Sequence, residues 1–129
     1  MGSSPLQDKS VLIVDDDPDV VTALRAVFSD IGARVSTAVD GNEAIEKAES
    51  EHPDLVVLDA MLPKRSGFLV LEKLKSKKNT SPAPRIIMIT GNQGKRHQAW
   101  AESLGVDAYL NKPFRMERLM QSAESLVSN

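Results

Sequence analysis

Short runs of β-branched and aliphatic residues alternate five times along this chain with stretches whose apolar residues recur at helical spacing. That alternation is the signature of βαβ units winding a parallel sheet. Strands are predicted at Ser10–Val14, Arg34–Ala38, Leu55–Asp59, Arg85–Thr90 and Ala108–Asn111. The first helix is announced by Asp17-Pro18, an N-cap followed by proline at the first helical position, and carries Val20, Val21, Leu24, Val27, Phe28 and Ile31 before Gly32 ends it. The second opens on Asp40 and Glu43 at capping-box-like spacing and presents Ala44, Ile45 and Ala48. The third presents Phe68, Leu71 and Leu74, and a polar stretch from Ser76 to Pro84 returns the chain to the sheet. The fourth, from Lys95 to Leu104, has the weakest apolar stripe; the fifth is strongly amphipathic, with Met116, Leu119, Met120, Ala123, Leu126 and Val127 on one face.

No repeat, low-complexity tract or second-domain linker interrupts the pattern. Residues 1–8 read as a flexible N-terminal segment and 9–129 as one (βα)₅ domain of the α/β class. Right-handed crossovers make a doubly wound sheet the economical topology. Ligands of such sheets bind beyond the carboxyl ends of the strands, so candidate chemistry is sought there.

Composition narrows the classes. With 129 residues, 41% of them hydrophobic, the chain can bury one core unaided. It has no cysteine, which excludes disulfides and thiolate metal sites and favours a reducing, cytoplasmic setting. The longest apolar runs are far shorter than the roughly 20 residues a membrane span requires, so no membrane association is expected. A net charge of −2 removes the positive field that direct nucleic-acid binding would call for.

The distinctive polar residues fall at the strands' carboxyl ends: Asp15-Asp16-Asp17 after the first, Asp59 on the third, Thr90 on the fourth and Lys112-Pro113 after the fifth. Carboxylates converging there repel one another unless a cation sits among them. Mg²⁺ suits hard oxygen ligands completed by water and phosphate oxygens. A lysine and a threonine hydroxyl add the charge and hydrogen bond that a phosphoryl group needs. With no serine, histidine or cysteine among these groups, a carboxylate must act as nucleophile and form an acyl phosphate. Asp59, standing singly on the central strand, is the first candidate.

Several segments carry a family pattern: Val11-Leu12-Ile13-Val14-Asp15-Asp16-Asp17-Pro18, Asp54 to Pro63 with Ser66-Gly67, Ile89-Thr90-Gly91, and Gly105 to Phe114. In order and spacing they resemble the receiver domain of two-component response regulators, from about Lys9 to Val127. The resemblance implies a flavodoxin-like sheet of order 2-1-3-4-5. It implies Asp59 as phosphoacceptor and Asp15 and Asp16 as the acidic pair holding Mg²⁺, Asp16 directly and Asp15 partly through water. The Met61 carbonyl would complete the protein's ligands, and Lys112 would pair with the phosphoryl oxygens. It further implies a cis Lys112-Pro113 bond and a switch pair, Thr90 and Tyr109, that alters the face of the fourth helix, fifth strand and fifth helix. Met61 and Asn92 fall at positions that tune phosphoryl loss in the family. Implied partners are a sensor histidine kinase or phosphotransfer protein, a downstream target or fused output domain that the residues do not identify, and a second copy on phosphorylation. Such a domain is a signalling receiver rather than an enzyme acting on a separate substrate.

Each residue also has a plainer reading. Asp17 suits capping better than metal binding; Tyr109 alone would be core packing; His52 and His97 read as ordinary exposed histidines. Lys73, Lys75, Lys77 and Lys78 read as a solvated charge run. Trp100 is either half-buried packing or an exposed partner anchor. Two rival functions are a haloacid-dehalogenase-type phosphatase with Asp15 as nucleophile and Asp17 beside it, and a receiver-like interaction module that is never phosphorylated. The phosphatase leaves Asp59 unexplained and lacks a later acidic motif. The interaction module would be expected to have lost one of the polar groups. A flavin or dinucleotide site would want a glycine-rich loop where Asp15-Asp16-Asp17-Pro18 stands.

Overall fold

The alternation is realised element by element in a computed structural model, which describes residues 4–76, 84–91 and 95–128. In chain order the elements are β1 (Ser10–Val14), α1 (Pro18–Asp30), β2 (Arg34–Ala38), α2 (Gly41–Glu51) and β3 (Leu55–Asp59), then α3 (Gly67–Leu74), β4 (Arg85–Thr90), α4 (Lys95–Ser103), β5 (Ala108–Asn111) and α5 (Met116–Val127). All five strands pair in parallel in the order β2-β1-β3-β4-β5, the doubly wound flavodoxin-like arrangement.

Successive strand residues point to opposite faces, so a buried parallel strand must be apolar on both. Leu12, Val14, Val56, Leu58, Ile86 and Met88 pack with α2, α3 and Ala101 of α4. Val11, Ile13, Leu55, Val57, Ile87 and Ile89 pack on the other face with Leu24 and Phe28 of α1 and Leu119 and Ala123 of α5. Each such aliphatic side chain contributes roughly 1.5–3 kcal/mol on burial.

The helix starts follow from local chemistry. Asp17 accepts a hydrogen bond from the Asp19 N–H at 2.9 Å ahead of Pro18, which confirms its capping role. Asp40 accepts from the Glu43 N–H at 2.8 Å, and Glu43 accepts in return from the Val39 N–H at 2.8 Å. The Glu43 bond, with help from Lys64, holds the Asp40 carboxyl below its ordinary value.

Three expectations change. Ser4–Asp8 is packed rather than free: Leu6 is fully buried beside α1 and α5, and the Ser4 hydroxyl donates to Glu124 at 2.6 Å. Its turn-like composition conceals one anchoring leucine. Lys75 does not belong to a solvated run, because its ammonium lies 2.7 Å from Asp107, which also pairs with Arg85 at 3.4 Å and accepts from the Ile86 N–H at 2.8 Å. His97 is not an ordinary exposed histidine: its ring lies 5.7 Å from that of Phe68, and its Nδ1 is buried with no hydrogen-bond partner among the described residues. His52 is exposed and closes α2 in the left-handed region at φ 51°. Lys77, Lys78 and Asn92 lie outside the described residues. No described helix is long and apolar enough to cross a membrane.

Candidate functional site

Strand register brings the polar residues to one corner. Val14 pairs with Leu58, so Asp15 and Asp59 leave the sheet at the same height; Asp59 pairs with Ile89, and Thr90 pairs with Asn111 just before Lys112. The Lys112 N–H donates to the Thr90 carbonyl at 2.7 Å, continuing the ladder past the strand, and the Lys112-Pro113 peptide bond is cis.

Asp15, Asp16 and Asp59 offer carboxylate oxygens that all lie within 4.8 Å of one another. Asp15 is fully buried and Asp59 is 5% exposed, while Asp16 faces solvent. The Lys112 ammonium reaches in from β5, 3.2 Å from Asp15 Oδ2 and 3.8 Å from Asp59 Oδ2. One oxygen of each buried aspartate is held from behind by backbone. The Asp17 N–H donates to Asp15 Oδ1 at 2.9 Å, and the Met61 N–H donates to Asp59 Oδ1 at 3.1 Å.

Burial pushes the Asp59 carboxyl up to about 6, and the charges of Asp15 and Asp16 add to the rise, while the Met61 N–H and Lys112 pull it down. One lysine thus stands against three carboxylates, a surplus of negative charge that a small divalent cation would relieve. The donor set fits Mg²⁺: hard carboxylate oxygens, one of them exposed to water, with the Met61 backbone beside Asp59. Asp17 takes no part, because its side chain caps α1. The Asp15/Asp17 pair required by the phosphatase reading therefore does not converge on one centre.

Thr90 is 1% exposed at the end of β4. Tyr109 pairs in register with Met88 and packs against the core on the α2–α3–α4 side. Its hydroxyl is buried with no hydrogen-bond partner among the described residues, and burial raises the phenol above its ordinary value. Trp100 is 45% exposed, and its inner face stacks on Phe68 with centroids 4.2 Å apart and planes 3° from parallel. The half-buried packing reading of Trp100 thus holds.

Gly67, the first residue of α3, carries a spatial role that spacing alone does not disclose. A Cβ there would lie 2.7 Å from Ala60 Cα and inside the Asp59 carbonyl, so α3 begins directly on the peptide of the acceptor candidate.

Comparisons with known proteins agree with this geometry. The chain is 42% identical over 107 residues to the alkaline phosphatase synthesis transcriptional regulatory protein PhoP of Bacillus subtilis (strain 168), covering 83% of this chain and 43% of that protein. It spans about half the length or less of the curated relatives it matches first. Among solved structures it resembles a putative response regulator from Chloroflexus aurantiacus J-10-fl, with TM-score 0.86, 26% identity and coverage of 95% of this chain and 100% of that one. It also resembles the receiver domain of the sensor histidine kinase PA1611 from Pseudomonas aeruginosa PAO1, with TM-score 0.82, 26% identity and coverage of 94% and 98%. The latter structure has a magnesium ion coordinated in its active-site cleft. The model of the response regulator receiver domain matches residues 11–124, and the chain belongs to that family.

Proposed function

We propose that this chain is a phosphorylation switch whose input is a Mg²⁺-dependent transfer of a phosphoryl group from a phosphohistidine to Asp59. The observation that carries the reading is the gathering of Asp15, Asp16 and Asp59 within 4.8 Å under the ammonium of Lys112. A carboxylate oxygen of Asp59 attacks phosphorus. The P–N bond breaks, its electron pair stays on the imidazole nitrogen, which takes a proton, and a mixed anhydride remains on Asp59. Lys112 balances charge on the phosphoryl oxygens, and the Met61 N–H holds the second oxygen of Asp59 so that the first points outward. Asp15, Asp16, Asp59 and the Met61 carbonyl would hold Mg²⁺, which would neutralise charge on the transferring group.

The phosphoryl group then attracts the Thr90 hydroxyl, Tyr109 packs behind it, and the face of α4, β5 and α5 changes. The group biases this equilibrium only through its different interactions with the two states. The donor is a histidine kinase or a phosphotransfer protein in the cytoplasm. Several relatives are named as transcriptional regulatory proteins, which supports an output through a downstream target or a fused domain.

Incubation with acetyl phosphate and Mg²⁺ followed by intact mass tests the reading. Wild-type protein is expected to gain one phosphoryl group and Asp59→Asn none. No uptake by folded wild-type protein overturns the proposal; loss of uptake in Asp15→Asn with retention in Asp59→Asn favours the phosphatase.

A further inference from the structure

We propose that Gly41, at the start of α2 and outside the cluster of carboxylates, is a positioning residue for the phosphoacceptor site. It acts through the loop from Ala60 to Ser66, which carries Met61. A Cβ at Gly41 would lie 2.6 Å from Arg65 Cβ and 2.8 Å from the Arg65 carbonyl carbon, and would overlap the carbonyl oxygen. The contact is mostly with backbone, which cannot swing aside as a flexible side-chain tip could.

Two further contacts tie the same loop to α2, and one bond within the loop shares an acceptor with the first of them. The Gly41 N–H donates to the Pro63 carbonyl at 3.4 Å, and the Arg65 N–H converges on that carbonyl at 2.7 Å. Asp40 caps α2 with Oδ1 and pairs through Oδ2 with Lys64 at 3.5 Å. Lys64 itself stands at φ 67°, a left-handed conformation that a lysine keeps only when its surroundings hold it there. At the far end, the Gly67 N–H donates to the Ala60 carbonyl at 3.0 Å. The loop is therefore gripped at both ends, and Met61 within it presents an N–H to Asp59 and carries the carbonyl that the proposed function assigns to Mg²⁺. A shift at Arg65 is passed to Met61 because the segment between them is short and anchored.

The inference rests on the proposed function of Asp59. Its test is a calorimetric Mg²⁺ titration of the full chain, with thermal midpoints measured on metal-free samples. Gly41→Ala is expected to weaken Mg²⁺ binding by about tenfold, the scale of a lost outer-shell support. Ala48→Gly, in the same helix and away from the loop, is expected to lower the thermal midpoint and leave Mg²⁺ affinity unchanged. Asp40→Asn, which keeps a capping oxygen and loses the Lys64 ion pair, is expected to weaken Mg²⁺ binding several-fold, and it decides the matter if Gly41→Ala does not fold. Wild-type affinity in Gly41→Ala, or in Asp40→Asn should that variant have to decide, overturns the inference, as does an equal loss in Ala48→Gly. A wild-type chain that binds no Mg²⁺ instead removes the reading of Asp59 on which the inference depends.

Discussion

Asp59 is buried at the end of β3 with two further carboxylates at its side, so its charged form is opposed by desolvation and by repulsion. The sign of the consequence for stability follows from linkage. Because the folded-state value of about 6 lies above the ordinary 3.8, the native chain binds the proton more tightly than the unfolded one. This group's destabilising effect is absent at low pH, grows as pH rises from the ordinary value through about 6, and is complete above it. Metal-free Asp59→Asn is therefore expected to be more stable than wild type at neutral pH, by roughly 1–3 kcal/mol. The difference should vanish near pH 4 and shrink when Mg²⁺ stabilises the wild type, as urea unfolding across that range would measure. Asp59 was legible as a candidate because it stands alone at the end of an apolar run; its burial was not. His97 and Lys75 were misread for a related reason. Each is a polar residue at a helical position, and only the assembled neighbours reveal that one lies against Phe68 and the other meets Asp107.

At the level of elements, the bounds of β1, β3 and β4 were legible because each is built on a short apolar run bounded by polar or turn residues, and α1 and α2 because Asp17 and Asp40 cap them. α4 was the least legible, and the fold explains why: Ala101 is its sole buried residue among those described, and much of its attachment is the flat stack of Trp100 on Phe68 of α3. Its inward residues, His97, Trp100 and Ala101, include only one aliphatic side chain and so leave little hydrophobic trace in a sequence. The Asp107 cluster is likewise a property of the assembled elements. It joins the end of α3, through Lys75, to the first residues of β4, through Arg85 and the Ile86 N–H. Asp107→Ala is expected to cost roughly 2–3 kcal/mol, because it strands a largely buried ammonium and a backbone donor together. Urea unfolding at neutral pH would register the loss, and a change under about 0.5 kcal/mol, the scale of an ordinary surface substitution, would show that the cluster holds nothing.

For the molecule as a whole, the winding of the chain turns residues far apart in sequence into one site. The order β2-β1-β3-β4-β5 sets β1 beside β3, β3 beside β4 and β4 beside β5, so Asp15, Asp59, Thr90 and Lys112 arrive at one edge. That gathering was legible in outline, since a doubly wound sheet places every strand's carboxyl end on the same side. The support behind it was not: Gly41 and Gly67 matter through distances between elements, for which spacing along the chain carries no signal. Asp59 alone is proposed to receive the phosphoryl group. Borohydride reduction of the chain after exposure to acetyl phosphate and Mg²⁺, followed by peptide mass mapping, tests it directly, because an aspartyl phosphate is reduced to homoserine where it stands. Homoserine at position 59 and nowhere else is the expected result; homoserine at position 15 or 16, or none in a folded protein, would overturn Asp59 as the acceptor.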